Sequence, residues 1–165
     1  MTTGRIHLLG GVIGLVGLAL AAGCGGSPQG CSQCSPIDGR YDVALGAGVT
    51  PASCQGVTVT LPEGPLEVAR QGGELTASLD GLTLHGTLYQ TNDFNLLGTR
   101  AGSPPGDGGT AVGPESASLS GRYVAGIGDG GVDSLIGDWQ GNFVSTSTGG
   151  TRRCSVTRPF TATRQ

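Results

Sequence analysis

The chain has 165 residues, a formal net charge of −3, 33 glycines and only 13% charged residues. This length is enough for a single domain with a sizeable core. All nine basic residues are arginine, and they form no basic run. The sequence therefore lacks the basic surface that nucleic-acid binding requires, and we expect no nucleic-acid partner.

The first 24 residues have the three parts of a secretory signal. Arg5 supplies a positive charge, an apolar and glycine-containing stretch follows from Ile6 to Ala22, and small residues lead into Cys24. The segment Leu20-Ala21-Ala22-Gly23-Cys24 resembles the lipobox of bacterial lipoproteins. This resemblance implies cleavage of residues 1–23 as a signal peptide, and lipidation of Cys24 with fatty acids such as palmitate. The protein would then be held at a membrane by that anchor.

Two other interpretations of this stretch remain open. Counted from Ile6 to Gly23, the apolar run reaches 18 residues, the lower limit for a transmembrane helix. An ordinary secretory signal with a cleavage site nearby is the second. In all three cases, residues 1–23 are excluded from the prediction of the fold.

The cysteine count agrees with the lipobox. If Cys24 carries lipid, an even set remains: Cys31, Cys34, Cys54 and Cys154. In an oxidising compartment, four cysteines indicate two disulfides, with three possible pairings. We favour Cys54–Cys154, which would tie the early part of the domain to its last strand and leave Cys31–Cys34. Zinc binding or redox chemistry at Cys31-x-x-Cys34 would need a second ligand pair or a βαβ context, so we expect neither metal nor cofactor.

Residues 24–36 are a flexible tether by composition, and residues 37–165 form the predicted domain. Apolar residues alternate in short runs along this domain, and turn signals such as Asp80-Gly81 separate the runs. The pattern predicts an all-β antiparallel meander of about eight or nine strands. An up-and-down barrel is favoured over a sandwich, because closure hides the sheet edges and glycines within strands suit a curled sheet. The runs include Tyr41–Leu45, Val57–Leu61, Leu66–Val68, Leu75–Leu79, Leu82–Leu88, Phe94–Leu96, Leu119–Ala125, Leu135–Phe143 and Cys154–Phe160.

One connection is unusually long. Residues 100–116, RAGSPPGDGGTAVGPES, are rich in glycine and proline and contain no aromatic residue. Loops of this length are either functional or disordered. The composition favours disorder, and a flap over one end of the barrel is the alternative.

Candidate catalytic and metal-binding residues are few. His85 lies between leucines in a strand pattern, so we expect it to face solvent. Asp129, Asp133 and Asp138 could supply an acid and a base, but we expect them to be surface turn residues. Residues 128–136 partly fit a calcium-binding nonapeptide, but a single copy cannot build that site. A glycine- and aspartate-rich hairpin turn is favoured, and calcium bound by Asp129 and Asp133 in a loop is the alternative. We therefore predict that the protein is not an enzyme; two carboxylates clustered in a cleft would revive that possibility.

The aromatic residues Tyr41, Tyr123, Trp139 and Phe143 all belong to alternating apolar faces. We expect them to form the core. The alternative is that some of them line a barrel mouth and stack on a ligand.

Residues 37–165 resemble the small glycine-rich all-β lipoproteins of Gram-negative bacteria. The likeness is carried by Gly39-Arg40-Tyr41, Cys54, the hairpin pattern at Leu82–Leu88, Cys154 and Phe160–Arg164. A more distant likeness is to avidin-like and lipocalin-like barrels. These resemblances imply a location in the cell envelope and a β fold; Gly25 after the lipobox cysteine favours the outer membrane, at its periplasmic face or at the cell surface. We expect a monomer with a structural or interaction role and a partner protein in the envelope. The alternative function is a barrel that binds a small apolar or aromatic ligand.

Overall fold

The computed structural model describes residue 31 and residues 34–100, 113–128, 130–147 and 149–165. The predicted signal peptide, Cys24, Asp129 and most of the long loop at 100–116 lie outside the described residues. Among the described residues, no helix is long and apolar enough to cross a bilayer.

Eight antiparallel strands follow one another around a closed barrel, and β1 pairs with both β2 and β8. The predicted all-β meander and its closure into a barrel are therefore confirmed. The strands are β1 Gly39–Leu45, β2 Pro65–Gln71, β3 Glu74–Leu79, β4 Leu82–Leu88, β5 Asp93–Thr99, β6 Ser116–Val124, β7 Ser134–Ser147 and β8 Gly150–Arg164.

The period-two pattern directs one set of side chains into the barrel because successive residues of a strand point to opposite faces. These inward side chains form one buried cluster that includes every aromatic residue of the strands. Side chains less than 2% exposed include Trp139, Tyr41, Phe143, Ile37, Leu66, Leu75, Leu79, Leu82, Leu84, Leu88, Leu96 and Leu119. The four aromatics assigned to the core are thus buried, as predicted.

Inward-facing glycines allow the sheet to curl tightly. Gly121 and Gly137 are directly paired across β6 and β7. A Cβ atom on either one would overlap the backbone of the opposite strand. Gly86 and Gly98 stand in the same relation to their neighbouring strands. These strands approach each other more closely than residues with a side chain would permit.

Short turns join β2 to β3, β3 to β4 and β4 to β5, as the turn signals predicted. At the β3–β4 turn, Asp80 and Gly81 both have positive φ values, of 47° and 73°. This pair of conformations is the one that a two-residue hairpin requires.

One predicted strand is wrong. Residues 57–61 alternate in hydrophobicity, but they belong to the loop between β1 and β2 and pair with no strand. Val57 is buried, and Val59 and Leu61 pack against the core. The segment has a strand-like pattern because its alternate side chains cover one end of the barrel. Residues 57–61 cannot add a strand to the sheet, because β1 is hydrogen-bonded to both β2 and β8 and the closed barrel has no free edge.

Candidate functional site

The chain before β1 lies across one end of the barrel, which we call the strap end. The strap consists of Cys31 and residues 34–38. Cys31 donates its N–H to Leu88 O at 2.9 Å, at the end of β4. The strap then continues to the start of β1, and Ile37 is fully buried on the way. Because β4 lies three strands from β1 around an eight-stranded barrel, the strap crosses most of its mouth.

The Cys31–Cys34 disulfide holds the beginning of the strap, as the cysteine count predicted. Cys34 Sγ also lies 3.1 Å from Tyr89 O in the turn between β4 and β5. Residues 34–36, which the composition assigned to a flexible tether, are therefore fixed on the barrel.

Arg70 on β2 holds the middle of the strap. Its Nη1 donates to Cys34 O at 3.1 Å, and its backbone N–H donates to Asp38 Oδ1 at 2.6 Å. The Arg70 Nε atom lies 3.6 Å from Asp38 Oδ2, which completes an ion pair. Arg70 thus holds the strap at two residues, Cys34 and Asp38, through two hydrogen bonds and an ion pair.

Four polar side chains meet beside the strap: Tyr41 on β1, Tyr123 on β6, Asp133 before β7 and Arg164 at the end of β8. We call them the tyrosine–arginine cluster. Arg164 Nη1 lies 3.1 Å from Asp133 Oδ2, and Arg164 Nη2 donates to the Tyr41 hydroxyl at 2.9 Å. Arg164 Nη2 also donates to Pro36 O, and its guanidinium lies 5.4 Å from the centroid of the Tyr41 ring.

The cluster continues on both sides of Arg164. The Tyr41 hydroxyl donates to Ile37 O at 2.7 Å, and the Tyr123 hydroxyl is hydrogen-bonded to Asp133. Asp133 Oδ1 accepts the backbone N–H of Gly126 at 3.0 Å. The cluster therefore joins the strap, the last strand and the β6–β7 loop into one unit.

Burial and hydrogen bonding shift the titration of these groups. Burial raises the pKa of Tyr123 to about 12, with a further contribution from its hydrogen bond to Asp133. Burial also raises the pKa of Tyr41, partly offset by the hydrogen bond from Arg164. The hydrogen bond from Gly126 N–H, and then that from Tyr123, hold the pKa of Asp133 below its usual range. At neutral pH the cluster contains one cation, one anion and two neutral phenols.

The β6–β7 loop, residues 125–133, projects beside this cluster. The backbones of Gly126 and Gly131 approach so closely that a Cβ atom on either would overlap the backbone on the opposite side of the loop. Gly131 donates its N–H to Gly128 O at 3.2 Å, which closes a turn at the tip. The loop is thus pinched at its base, with Ile127 exposed beyond the pinch.

The opposite end of the barrel, the hairpin end, is covered by the β1–β2 loop, residues 46–64. This loop contains a short 3₁₀ helix at Ala52–Cys54, and the disulfide Cys54–Cys154 joins it to β8. The favoured cysteine pairing is therefore the one in the structure. Arg158, a buried residue of β8, donates from Nη1 to Val49 O at 2.9 Å and fastens the same loop.

His85 faces solvent from the outer wall of the barrel, as predicted. It lies in an open groove of about 600 Å³ that crosses β4 to β7 and is lined mainly by hydroxyl and amide side chains. The described lining residues include no carboxylate: Thr83, His85, Leu97, Gly98, Thr99, Ser116, Ala117, Ser118, Gln140 and Asn142. His85 therefore has no acidic residue in this groove to orient it as a base.

Two buried side-chain polar atoms have no hydrogen-bond partner among the described residues: Arg164 Nε in the tyrosine–arginine cluster and the indole Nε1–H of the fully buried Trp139. The Trp139 donor lies inside the barrel. The Trp139 ring lies over Gly141 and meets Phe143 edge to face, with ring centroids 6.3 Å apart. An unpaired buried donor of this kind costs about 1–3 kcal/mol.

Asp133 and Asp138, the two candidate carboxylates among the described residues, do not form a catalytic pair. Asp133 is committed to Arg164, Tyr123 and Gly126, so it is a partly buried anchoring residue and not the surface turn residue we expected. Asp138 is exposed on β7, five residues and therefore about 16 Å further along the strand. Asp129 lies outside the described residues, and the described part of the chain contains no group of three or more potential metal ligands.

The sequence did not reveal the tyrosine–arginine cluster, because its members are up to 123 positions apart and meet only through barrel closure. The cluster forms because the register of β1 against β8 places Tyr41 opposite Arg164. The available signals were a tyrosine and an arginine in inward positions of the first and last strands.

No protein-family model matches the chain, and neither a curated protein nor a solved structure matches it.

Proposed function

We propose that the protein is a lipoprotein of the cell envelope, anchored through acyl chains on Cys24, whose barrel has a structural or interaction role without catalysis. The observation that carries this proposal is the strap. Only seven residues after Cys24, the N–H of Cys31 binds Leu88 O on the barrel, and the Cys31–Cys34 disulfide closes a small loop within the strap. A short tether that ends on a rigid mouth suits a domain that must stay close to a membrane.

The packing of the barrel supports a role for its outer surface. Large side chains fill the interior, the strap covers one end, and the β1–β2 loop covers the other. One disulfide lies within the strap and the other joins the β1–β2 loop to β8, and two disulfides suit an oxidising compartment outside the cytoplasm. A partner would therefore meet the walls and loops of the barrel and not its centre.

Metabolic labelling with a palmitate analogue tests the anchor. The wild-type protein should take up the label in a Gram-negative host, and Cys24→Ser should lose it completely. Ser27→Ala, three residues further on, is the matched control and should keep the label. An unlabelled wild-type protein, or a labelled Cys24→Ser variant, would contradict the proposal.

A barrel that binds a small ligand is the second candidate, and the unpaired Nε1–H of Trp139 favours it. A small molecule with an acceptor atom would satisfy this donor only if the packed side chains of the interior moved to admit it. Native and denaturing mass spectra of the Cys24→Ser protein, exported to the periplasm, compare the two candidates. A discrete mass lost on denaturation, and absent from Trp139→Phe, supports the ligand; equal native and denatured masses support the interaction role.

A further inference from the structure

We propose that the β6–β7 loop contacts the bilayer in which the acyl chains are embedded, as a second attachment point beside the lipid anchor. The contact surface is an apolar patch consisting of Val124, Ile127, Val132 and Ile136. This inference rests on the proposed lipid anchor at Cys24.

The patch is the main concentration of exposed apolar side chains in the described part of the chain. Four of the six large exposed hydrophobic residues belong to it. Ile127 is 95% exposed and Val132 is 54% exposed, so neither has a packing role within the barrel. Exposed apolar residues gathered in one place mark a contact surface more often than single ones do.

The patch lies at the strap end, where the tether reaches the barrel. Val124 ends β6 and Ile136 is near the start of β7, on the same side as the start of β1. Arg164 connects the two regions directly, because it contacts Asp133 in the loop and Pro36 in the strap.

The length of the tether limits how far this end can be from the membrane. Cys31 lies seven positions after Cys24, and a fully extended chain over seven steps reaches about 25 Å. β7 has 14 residues and is therefore about 45 Å long, and because barrel strands tilt by about 40°, its far end lies roughly 35 Å further away. The tether therefore keeps the strap end near the bilayer and raises the local concentration of the patch there.

The loop is built to present its apolar tip. The close approach of Gly126 and Gly131, together with the Asp133 carboxylate on Gly126 N–H, fixes the base of the loop. Ile127 then projects without rearrangement, so its insertion costs little conformational entropy.

Apolar contact is the chemistry that fits this surface. The chain is acidic, so an anionic lipid headgroup would not attract it electrostatically. Shallow burial of branched aliphatic side chains at the acyl boundary needs no opposite charge. The proposed occupant is therefore the interface of the leaflet that contains the anchor.

A fluorescence experiment with brominated lipids tests this contact. The full-length protein is expressed with its signal, purified in its membrane-extracted form, and reconstituted into phosphatidylethanolamine–phosphatidylglycerol vesicles with or without acyl-chain bromine. Ile127→Trp is compared with Leu97→Trp, a matched control because Leu97 is an exposed apolar residue on the outer wall of β5. The wild-type signal of the buried Trp139 is subtracted from both.

The proposal predicts that bromine quenches the indole introduced at position 127 and leaves the indole at position 97 unchanged. Vesicle flotation with no quenching at 127 would overturn the loop contact while keeping the anchor. A blue-shifted but unquenched indole at 127 would indicate a second copy of the chain on the patch, and equal quenching at both positions would indicate a barrel lying on its side; both overturn the proposal. Protein that neither floats nor has an acyl mass would overturn the anchor itself and with it this inference.

Discussion

Arg164 and Asp133 form an ion pair of 3.1 Å between Nη1 and Oδ2, with both side chains about three-quarters buried. The pair connects the last strand to the β6–β7 loop, and Arg164 extends the connection to Tyr41 and the strap. The residue near the C-terminus thus organises the end of the barrel to which the N-terminal tether leads.

Removing this arginine should destabilise the barrel. Arg164→Ala loses the ion pair and the hydrogen bonds to Tyr41 and Pro36, so we expect a loss of about 1–3 kcal/mol in the free energy of unfolding. Arg40→Ala is the control, because Arg40 and Glu67 form a 3.1 Å pair with both side chains more than half exposed. Its expected cost is below about 1 kcal/mol. Denaturant unfolding measures both, and equal losses would contradict the role given to Arg164.

The tyrosines predict a loss of stability at high pH. The pKa of Tyr123 is about 12 in the folded protein, compared with 10.0 as its ordinary value. Because the folded pKa is raised, its contribution is complete below pH 10 and disappears as the pH rises from 10 to 12. Melting temperatures across this range measure the effect.

Tyr123→Phe should flatten the dependence on pH in that window, while Tyr89→Phe, which leaves the cluster intact, should keep it. Phenolate absorbance measures the same effect independently. The ionisation step at the highest pH should be absent from the titration of Tyr123→Phe and present in that of the other proteins. Early ionisation of all three tyrosines would show that the phenol is accessible to solvent.

The two disulfides should contribute unequally. Cys54–Cys154 closes a loop of sequence separation 100, and Cys31–Cys34 one of separation 3. Chain entropy gives stabilisations of roughly 4.7 and 1.6 kcal/mol. The double variants Cys54→Ala/Cys154→Ala and Cys31→Ala/Cys34→Ala should differ in that order by calorimetry, and the reverse order would contradict it.

Gly121 should not tolerate a side chain. A Cβ atom there would overlap the backbone of Ile136, which belongs to a continuous strand and cannot move aside. We expect Gly121→Ala to cost at least about 1–3 kcal/mol, as overpacking does elsewhere. Gly72→Ala, at an open turn position with φ of 63°, should cost about 1–2 kcal/mol through its backbone conformation alone. If Gly121→Ala unfolds at the same denaturant concentration as the wild type, the close strand approach is wrong.

Much of the fold could be predicted because period-two hydrophobicity is a local signal. It identified the strands, and the even set of cysteines identified the two disulfides. Residues 34–36 were assigned to the tether because their composition is that of a loop, and they are held by Arg70 on Cys34 O and Arg164 on Pro36 O, which only the folded barrel brings there. The segment 57–61 was assigned to a strand, because a segment that covers a core alternates as a strand does.

The candidate site was harder to predict, since it depends on which strands close the barrel. Asp133 was expected in a surface turn, and its role became visible only with Arg164 and Tyr123 beside it. Ile127 is a single aliphatic residue in a run of glycines and aspartates, so its exposure beside the strap depends on the pinched loop.

We propose a lipid anchor that leads, over a short tether, to a filled and disulfide-closed barrel. The mass of the wild-type protein extracted from membranes, recorded under native and then denaturing conditions, tests this arrangement. We expect a chain that begins at Cys24, has acyl chains, is four hydrogens lighter than the reduced form, and has the same mass in both conditions. A chain without acyl mass, or one that retains residues 1–23, would contradict it.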